Sequence, residues 1–391
     1  MSVVPASEIE MRKFLLLILF VSLSIGASAQ WNNWSNAKNV RKTMHKAQDE
    51  GMTYFSQFHL WDVRAKNIHS SKFHEQTGEV LYVYSLDFYY ATGSYFADDY
   101  QEKCGKNIID VVKKQWRENK AIPCFSWHLE NPYVTSGYEY MGSRYRKADK
   151  NVAYPKDHEF VVREILTGKG GDRCGYGRYS GKETESWDNP REWFDDRCRE
   201  VASLINELRD DEGKPIPIIF RPWHECEDSW MWWGSNTTSP EEYKRLFILT
   251  EKKIKKYTRR AQILWAYSPD SYWSTEEEFM LRYPGDRYVD FIGYDDYQLA
   301  DPKKFEAEIE KARIVTRIAK DHRKISALFE GANSITETSD YYFTDYLIPL
   351  LTDKDVNLTI VQLWSTSLIE NEKQIKDRKD FLSQPFILIV K

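Results

Sequence analysis

Short apolar runs recur along the chain, and each of them ends in polar or aromatic residues. Their length and their near-continuous apolar, β-branched character are typical of parallel strands that are buried on both faces. The pattern therefore predicts eight strands. The runs cover residues 52–58, 80–88, 121–128, 216–225, 262–269, 288–297, 325–331 and 358–364.

Helical patterns lie between these runs. In one of them Ser239 is placed to cap a helix, Pro240 suits its first turn, and Glu242 completes a capping box. Apolar residues at helical spacing then form a single stripe. The three clearest helical segments are residues 188–211, 239–260 and 302–324.

Strands that alternate with helices over this length predict an α/β fold, a (β/α)8 TIM barrel. A doubly wound open sheet is the alternative, and it would favour a glycine-rich phosphate loop after an early strand. The sequence holds neither G-x-G-x-x-G nor G-x-x-x-x-G-K-[ST], and the glycine-rich segment 167–177 follows no predicted strand. We therefore expect the barrel, with one long connection, residues 129–190, that leaves the third strand on the active face and walls one end of a cleft there.

The first residues have the layout of an export signal. Two basic residues follow Met11, an apolar run covers residues 14–23, and Ala27-Ser28-Ala29 forms a cleavage site of the A-x-A type. The apolar run is too short to span a membrane. We therefore expect a leader over residues 1–29, translation from Met11, no stable membrane insertion, a periplasmic or secreted product, and one catalytic domain over residues 30–391.

The composition limits which kinds of partner and cofactor we expect. A net charge of −5 without a basic block argues against nucleic acid. The 14 Trp and 25 Tyr residues suit either a Trp-rich core or flat faces that stack on sugar rings. The five scattered cysteines include no C-x-x-C pair for zinc or redox chemistry. We therefore expect no cofactor and no metal. One or two disulfides are compatible with export.

Two glutamates are the candidates for chemistry. Glu225 follows the fourth predicted strand within "FRPWHECEDSWMWWG" (220–234), and Glu330 ends the seventh strand, directly before Gly331. Barrel enzymes place their reactive groups at the carboxyl ends of the strands. A pair of carboxylates there is what glycoside hydrolysis requires, one as proton donor and the other as nucleophile or base. Glu227 is the alternative to Glu225 as the acid.

These residues occur in motifs that resemble glycoside hydrolase family 26, whose members are mostly β-mannanases. His224 stands directly before Glu225, where most related barrel families have Asn, and Trp230 and "WWG" follow. The likeness continues at "SWHLENP" (126–132), "VDFIGYDDY" (289–297), "FEG" (329–331) and Trp364. The resemblance spans nearly the whole exported chain.

The resemblance implies a role for each matching residue. Glu225 would be the acid/base and Glu330 the nucleophile of a retaining reaction, with Tyr297 donating its hydroxyl to Glu330 and Asp295 supporting that corner. Arg221 would hold a carboxylate by a bidentate pair. Substrate would be bound by His128, His224, Trp230 and Trp364.

Some assignments stay open at this stage. Asp87, after the second strand, suits a sugar ligand and a salt-bridge partner equally. Of Trp232 and Trp233, we expect one to face the cleft and the other to pack beneath it. Ser365 stands where many family members have an Arg, and Cys226 lies where a Gly is common, so the distal subsites are left open.

The expected substrate is β-mannan or its oligosaccharides, with mannobiose as an early product and the protein a monomer or weak oligomer. The same mechanism on mixed-linkage β-glucan or β-1,3-xylan is an alternative, because the sequence does not reveal how the site treats the sugar 2-hydroxyl. A non-catalytic carbohydrate-binding barrel is the alternative of another class. It would account for the aromatic residues but not for both glutamates.

Overall fold

The computed structural model places most of the 391-residue chain. The predicted leader, residues 1–29, lies outside the described residues. The described residues are 34–58, 61, 63, 72–92, 98–129, 131–132, 161–169, 174, 187–227, 231–332, 339–364 and 371–390.

Eight parallel strands curl into the predicted barrel. Their hydrogen-bonded order is β2-β3-β4-β5-β6-β7-β8-β1, so neighbours follow the chain without the reversal of a doubly wound sheet. All eight predicted runs are confirmed, and nearly every strand residue is buried. The strands are β1 Thr53–Gln57, β2 Val83–Asp87, β3 Ile122–Trp127, β4 Ile218–Pro222, β5 Ile263–Tyr267, β6 Phe291–Asp296, β7 Ile325–Gly331 and β8 Ile360–Leu363.

The helices cover the outside of the sheet, and the three predicted helical segments are confirmed. The described helices are α1 Ala37–Asp49, α2 Lys72–Thr77, α3 Asp98–Asn119, α4 Val161–Thr167, α5 Pro190–Glu207, α6 Pro240–Tyr257, α7 Glu276–Met280, α8 Phe305–Asp321, α9 Ile348–Thr352 and α10 Glu372–Leu382. Ser239 and Glu242 form the predicted capping box of α6, with each side chain bonded to the other's backbone N–H.

A short ninth strand, which the sequence analysis did not predict, fills the seam between β1 and β2. Strand β9, Ile387–Leu388, pairs in parallel with β1. On its other side the Val390 N–H donates to the carbonyl oxygen of Val80, just before β2, over 2.8 Å. The end of the chain therefore closes the barrel at the amino ends of the strands, opposite the predicted active face.

The connection after β3 is described only in parts, and one of these is helix α4. This helix packs against α5 and α6, where Arg163 Nε donates to Glu242 Oε1 over 2.6 Å. Cys174 and Trp187 exchange backbone hydrogen bonds of 3.0 and 2.8 Å. The prediction that this connection walls one end of a cleft concerns residues that are mostly outside the described ones.

The five cysteines fall within the described residues, and all of them are buried and free. Cys104, Cys124 and Cys198 are at most 1% exposed, within the hydrophobic core. The one or two disulfides that the sequence allowed are therefore not formed. Burial among apolar side chains raises the pKa of the Cys124 thiol to about 12, which keeps it in the neutral form that suits a core position.

Gly293 in β6 allows close packing beneath the carboxyl ends of the strands. A Cβ at this position would lie 2.5 Å from Phe329 Cδ2 and 2.7 Å from the Ala327 carbonyl oxygen. Phe329 in turn lies under the Arg221 guanidinium, 5.5 Å from its ring centroid. The absence of a side chain at Gly293 thus lets β7 approach β6 where the candidate site is built.

We expect Gly293→Ala to lower the free energy of unfolding by about 2–3 kcal/mol, because the new methyl group overlaps backbone as well as a ring. Denaturant unfolding would measure this. Gly105→Ala, within helix α3, is the matched control. Its new Cβ would lie 3.4 Å from Leu204 Cδ2, an ordinary contact, and alanine is more favourable than glycine in a helix by up to about 1 kcal/mol. Equal losses in both variants would contradict this account of the packing.

Candidate active site

Three carboxylates meet at the carboxyl ends of the strands. Glu225 follows β4, Asp295 lies in β6 and Glu330 in β7, and each offers an oxygen within 4.8 Å of the others. Their residues are 6%, 1% and 1% exposed. A register shift after Tyr294 places Asp295 opposite Glu330, because β7 carries one extra residue at this point.

The turn after β4 brings Glu225 into this group. Trp223 and Glu225 have φ angles of 59° and 52°, in the left-handed region that residues other than glycine rarely adopt. The Glu225 N–H donates to the Ser268 carbonyl oxygen over 3.0 Å, which ties the turn to the end of β5. Two left-handed residues within three positions reverse the chain sharply at the mouth of the barrel.

Arg221 supplies the positive charge among the carboxylates. Its Nη1 donates to Asp295 Oδ2 over 2.7 Å, and its Nη2 donates to Glu330 Oε1. The expectation of a bidentate pair with one carboxylate is therefore wrong: the guanidinium bridges two, because β6 and β7 present one carboxylate each. Burial acts to lower the pKa of Arg221, but Asp295 and Glu330 outweigh it and raise that pKa.

The remaining oxygens of Asp295 and Glu330 accept from neutral hydroxyls. Ser268 Oγ donates to Asp295 Oδ1 over 2.7 Å, and the Tyr297 hydroxyl donates to Glu330 Oε2. The structure thus brings Tyr297, Asp295 and Arg221 to the positions that the family resemblance implied. Ser268 was missed, although it lies near the carboxyl end of the fifth apolar run.

This donor set does not suit a resident metal ion. Each oxygen of Asp295 and Glu330 already accepts a hydrogen bond, and two of these bonds come from the Arg221 cation. A metal would have to displace a guanidinium that is itself fully buried. The trio is better understood as a set of carboxylates whose charge a protein cation balances.

Two histidines form the opposite side of the site. His128 Nδ1 is hydrogen-bonded to Asp87 Oδ2, and His128 Nε2 lies 3.0 Å from His224 Nε2. The Trp364 ring lies 6.1 Å from that of His128, measured between centroids. Asp87 is thus a partner of His128, and of the two assignments left open for it the structure supports the salt bridge.

The adjacent indoles Trp232 and Trp233 are both buried. Trp232 Nε1 donates to the Leu129 carbonyl oxygen and Trp233 Nε1 to that of His224, each over 2.8 Å. The expectation that one of the two faces the cleft is therefore wrong, since both ring N–H groups serve backbone carbonyls. Trp230 and Ser365 lie outside the described residues, and Trp364 remains as a partly exposed indole beside the histidines.

Glu227, the alternative acid, has different surroundings. It lies beside Cys226, whose Sγ is 3.2 Å from Glu227 Oε2, and its Oε1 is 3.5 Å from the Tyr267 hydroxyl. Burial, followed by the charge of Asp270, raises the pKa of Glu227 to about 8. Among the described residues it is Glu225, and not Glu227, that joins Asp295 and Glu330.

A second buried carboxyl group lies directly behind the site. Asp296 is 1% exposed and packs near Glu308 of α8, which is 2% exposed and accepts from Lys311 Nζ over 2.9 Å. Burial, followed by the charge of Glu308, raises the pKa of the Asp296 carboxyl to about 8. Burial therefore favours the protonated form of Asp296, which connects the strand that carries Asp295 to the helix layer.

Comparison with known sequences gives one family. Residues 190–347 match the family model described as Glycosyl hydrolase family 26. A mannan endo-1,4-beta-mannosidase of Bifidobacterium adolescentis is 30% identical over 184 residues, 46% of this chain and 16% of the relative. One of Bacillus subtilis is 25% identical over 227 residues, 56% of this chain and 51% of the relative. The chain thus matches at most about half the length of these two relatives.

Comparison with solved structures gives the same architecture. A modular endo-beta-1,4-mannanase from Cellulomonas fimi superposes with a TM-score of 0.73 at 21% identity, over 93% of this chain and 77% of the other. A family 26 beta-mannanase from Bacteroides ovatus gives a TM-score of 0.69 at 22% identity, over 90% and 93% of the two chains. Among the described helices, none combines the length and apolar character needed to cross a bilayer.

We expect Arg221→Lys to lower the free energy of unfolding by about 3 kcal/mol, because one ammonium group cannot serve two buried carboxylates and leaves charge uncompensated. The control is Arg317→Lys, whose exposed pair with Glu276 spans 3.5 Å and should change stability by less than about 1 kcal/mol. Denaturant unfolding would compare them. Similar small effects in both variants would show that the bridge at Arg221 adds nothing to stability.

Asp296→Asn should change how stability depends on pH. Between about pH 4 and 8 the unfolded chain loses the Asp296 proton while the folded protein keeps it, so this residue makes stability fall as pH rises. The variant lacks this contribution to the pH dependence of stability. Its stability relative to the wild type should therefore grow across this window, by up to roughly 1.4 kcal/mol per pH unit, and stay constant above it.

Thermal or denaturant unfolding at several pH values would measure this difference. Asp321→Asn, at the exposed end of α8, is the control and should show no comparable trend. A difference between Asp296→Asn and the wild type that is constant from pH 4 to 8 would mean that Asp296 is ionised in the folded protein.

Proposed function

We propose that this chain, which belongs to glycosyl hydrolase family 26, is a retaining glycoside hydrolase that cleaves β-1,4-mannosidic bonds in mannan, galactomannan or glucomannan and their oligosaccharides. The observation that carries the proposal is the pair Glu225 and Glu330, with oxygens within 4.8 Å of each other. Retaining enzymes hold their two carboxyl groups about 5–5.5 Å apart, whereas inverting enzymes leave about 6.5–9.5 Å for a water molecule. The names of the relatives support mannan as the substrate.

In the first step Glu225 acts as the acid and Glu330 as the nucleophile. The Glu225 proton moves to the glycosidic oxygen as the bond between that oxygen and the anomeric carbon breaks. A Glu330 oxygen forms the new bond to the anomeric carbon from the other face. Arg221 and Tyr297 donate to Glu330, so they hold the carboxylate oriented for this attack.

In the second step water releases the sugar. Glu225, now a carboxylate, accepts a proton from the water. The water oxygen attacks the anomeric carbon, and the bond between that carbon and Glu330 breaks. Both carboxylates return to their starting states. For the cycle to work at neutral pH, Glu225 must hold a proton before each turnover, which we keep as a prediction.

The other side of the site would bind the sugar at the cleavage point. His128 and His224 form a polar edge and Trp364 an apolar face, with ring centroids 4.4 Å apart for the two histidines. An indole face suits the C–H surface of a pyranose ring, and imidazole nitrogens suit its hydroxyl groups. Trp230, outside the described residues, remains a predicted second wall.

Purified protein on a panel of unbranched mannan, galactomannan, mixed-linkage β-glucan and β-1,3-xylan would test the substrate. We expect hydrolysis of the mannans with retention of the anomeric configuration, which NMR of the first product would show. Preferential cleavage of the glucan or xylan would transfer the mechanism to that polymer. Early mannobiose would support a walled cleft, whereas a broad ladder of long products would indicate an open one.

Separate variants would test the two roles. Glu330→Ala should abolish turnover on mannan and on an aryl β-mannobioside alike, because no nucleophile remains. Glu225→Ala should lose about 10²–10⁴-fold on mannan and far less on an aryl substrate with an acidic phenol, which leaves without protonation. Glu227→Gln should keep the wild-type ratio between the two substrates. Equal losses on both substrates in Glu225→Ala would show that the roles are misassigned.

We also propose that the protein is exported through the leader at residues 1–29. The support is the sequence pattern from Met11 to Ala29. Cell fractionation with N-terminal sequencing should find a periplasmic or secreted product that begins near Gln30. A cytoplasmic product that retains these residues would refute the proposal.

A further inference from the structure

Three side chains form a continuous hydrogen-bonded row that ends at His224, in the turn that carries Glu225. Asp87, at the end of β2, bonds to His128 Nδ1, and His128 Nε2 lies 3.0 Å from His224 Nε2. His224 is the residue directly before Glu225. The row therefore joins a carboxylate on β2 to the turn that carries the proposed acid.

Hydrogen bonds fix the state of Asp87. Its Oδ1 accepts from the backbone N–H groups of Tyr89 and His128, over 2.8 and 3.3 Å, and its Oδ2 accepts from Ser126 Oγ over 3.0 Å. These donors, together with His128, stabilise the carboxylate, and the pKa of Asp87 is lowered although its burial acts in the other direction. An ionised Asp87 can only accept, so the hydrogen between it and the His128 ring belongs to Nδ1.

The contact between the two histidines then requires one hydrogen between two ring nitrogens. Either His128 is an imidazolium that donates from Nε2 to His224, or it is neutral and accepts from His224 Nε2. Burial acts to lower the pKa of His128, but Asp87, then Glu330 and Glu225, raise it. The acidic groups on three separate elements around this ring therefore favour the first arrangement.

We propose that Asp87 is a positioning residue that holds His128 as an imidazolium and, through it, holds His224 as a neutral hydrogen-bond acceptor at Nε2. The proposal rests on the proposed function and deepens it. Arg221 then supplies one fixed cation to the carboxylates from the side of β4 and β6, and His128 supplies a second from the side of β2 and β3. With His224 Nε2 used as an acceptor, the remaining ring hydrogen of His224 is on Nδ1.

The substitution Asp87→Asn gives a sharp test, because the structure dictates how the amide must lie. The two backbone N–H groups at Oδ1 require an oxygen there, so the NH₂ group takes the place of Oδ2 and faces His128 Nδ1. It donates to that nitrogen, and His128 becomes a neutral ring with its hydrogen on Nε2. The geometry of the row is kept while the charge of the ring and its Nδ1 hydrogen are lost.

The measurement is ¹⁵N NMR of protein labelled at histidine, because protonated and bare ring nitrogens differ widely in chemical shift. His128→Gln and His224→Gln assign the signals. In the wild type we expect both nitrogens of His128 and only Nδ1 of His224 to carry hydrogen at pH 7. In Asp87→Asn we expect a bare His128 Nδ1. Ser126→Ala, which removes a neutral donor to the same carboxylate oxygen, should leave the wild-type pattern in place.

Kinetics provide the second measurement. In Asp87→Asn the His128 ring loses its positive charge, and without that charge nearby the proposed acid Glu225 keeps its proton to higher pH, so the alkaline limb of kcat/KM on a manno-oligosaccharide should move to higher pH. A purely structural role would lower the rate equally at every pH. An unmoved alkaline limb in a folded Asp87→Asn protein would overturn the proposal.

The two proposals can fail separately. A wild-type spectrum with a bare His128 Nε2 at pH 7 overturns this one, even if Asp87→Asn does not fold. If the wild type shows the expected pattern but cleaves no β-mannan, the proposed substrate fails and the assignment of the two histidines stands.

Discussion

The buried guanidinium of Arg221 is the interaction on which the site depends. Taking a cation and two carboxylates out of water is costly, and only close hydrogen-bonded geometry offsets that cost. The partners of Arg221 come from β6 and β7, while Arg221 itself comes from β4. The offset is therefore available only when the barrel has closed to bring these three strands to their final positions, so the charges of the site and the completion of the fold are coupled.

The same bridge gives the three carboxylates different surroundings. Asp295 and Glu330 accept from Arg221, and Glu330 also accepts from Tyr297, so donors hold both oxygens of Glu330 in place. Glu225 offers an oxygen within 4.8 Å of the other two carboxylates. This closeness is what the proposed retaining mechanism requires of Glu225 and Glu330.

Much of this arrangement was predictable, because it depends on local periodicity. Apolar runs of strand length gave the eight strands, and the Ser239 capping box gave the start of α6. Glu225 and Glu330 were predictable as a pair because the carboxyl ends of parallel strands meet at one face. Strand β9 was not, since a two-residue strand is added only where a curled sheet leaves a seam. Nor were the partners of Arg221 and Ser268, which depend on the relative rotation of strands far apart in sequence.

The roles of the indoles around the β4 turn could not be predicted from the sequence either. Their contacts explain why so many of them lie there. Trp223 and Glu225 adopt left-handed conformations, which cost about 1–3 kcal/mol each and persist only where surroundings fix them. Here Trp223 Nε1 donates to Thr250 Oγ1 over 2.9 Å, and the Tyr243 hydroxyl donates to the Trp223 carbonyl oxygen over 2.8 Å. Both partners lie on α6.

Trp233 extends this support to the next residue of the turn. Its Nε1 donates to the His224 carbonyl oxygen over 2.8 Å, and its ring lies 5.2 Å from that of Trp223. Aromatic packing and hydrogen bonds thus offset the strain of the turn. Because sequence composition cannot distinguish an indole that supports a turn from one that stacks on a sugar, the aromatic excess suggested a cleft where much of it is scaffold. What the scaffold secures is the position of Glu225, and in the proposed mechanism a proton donor displaced by an ångström would lose much of its effect.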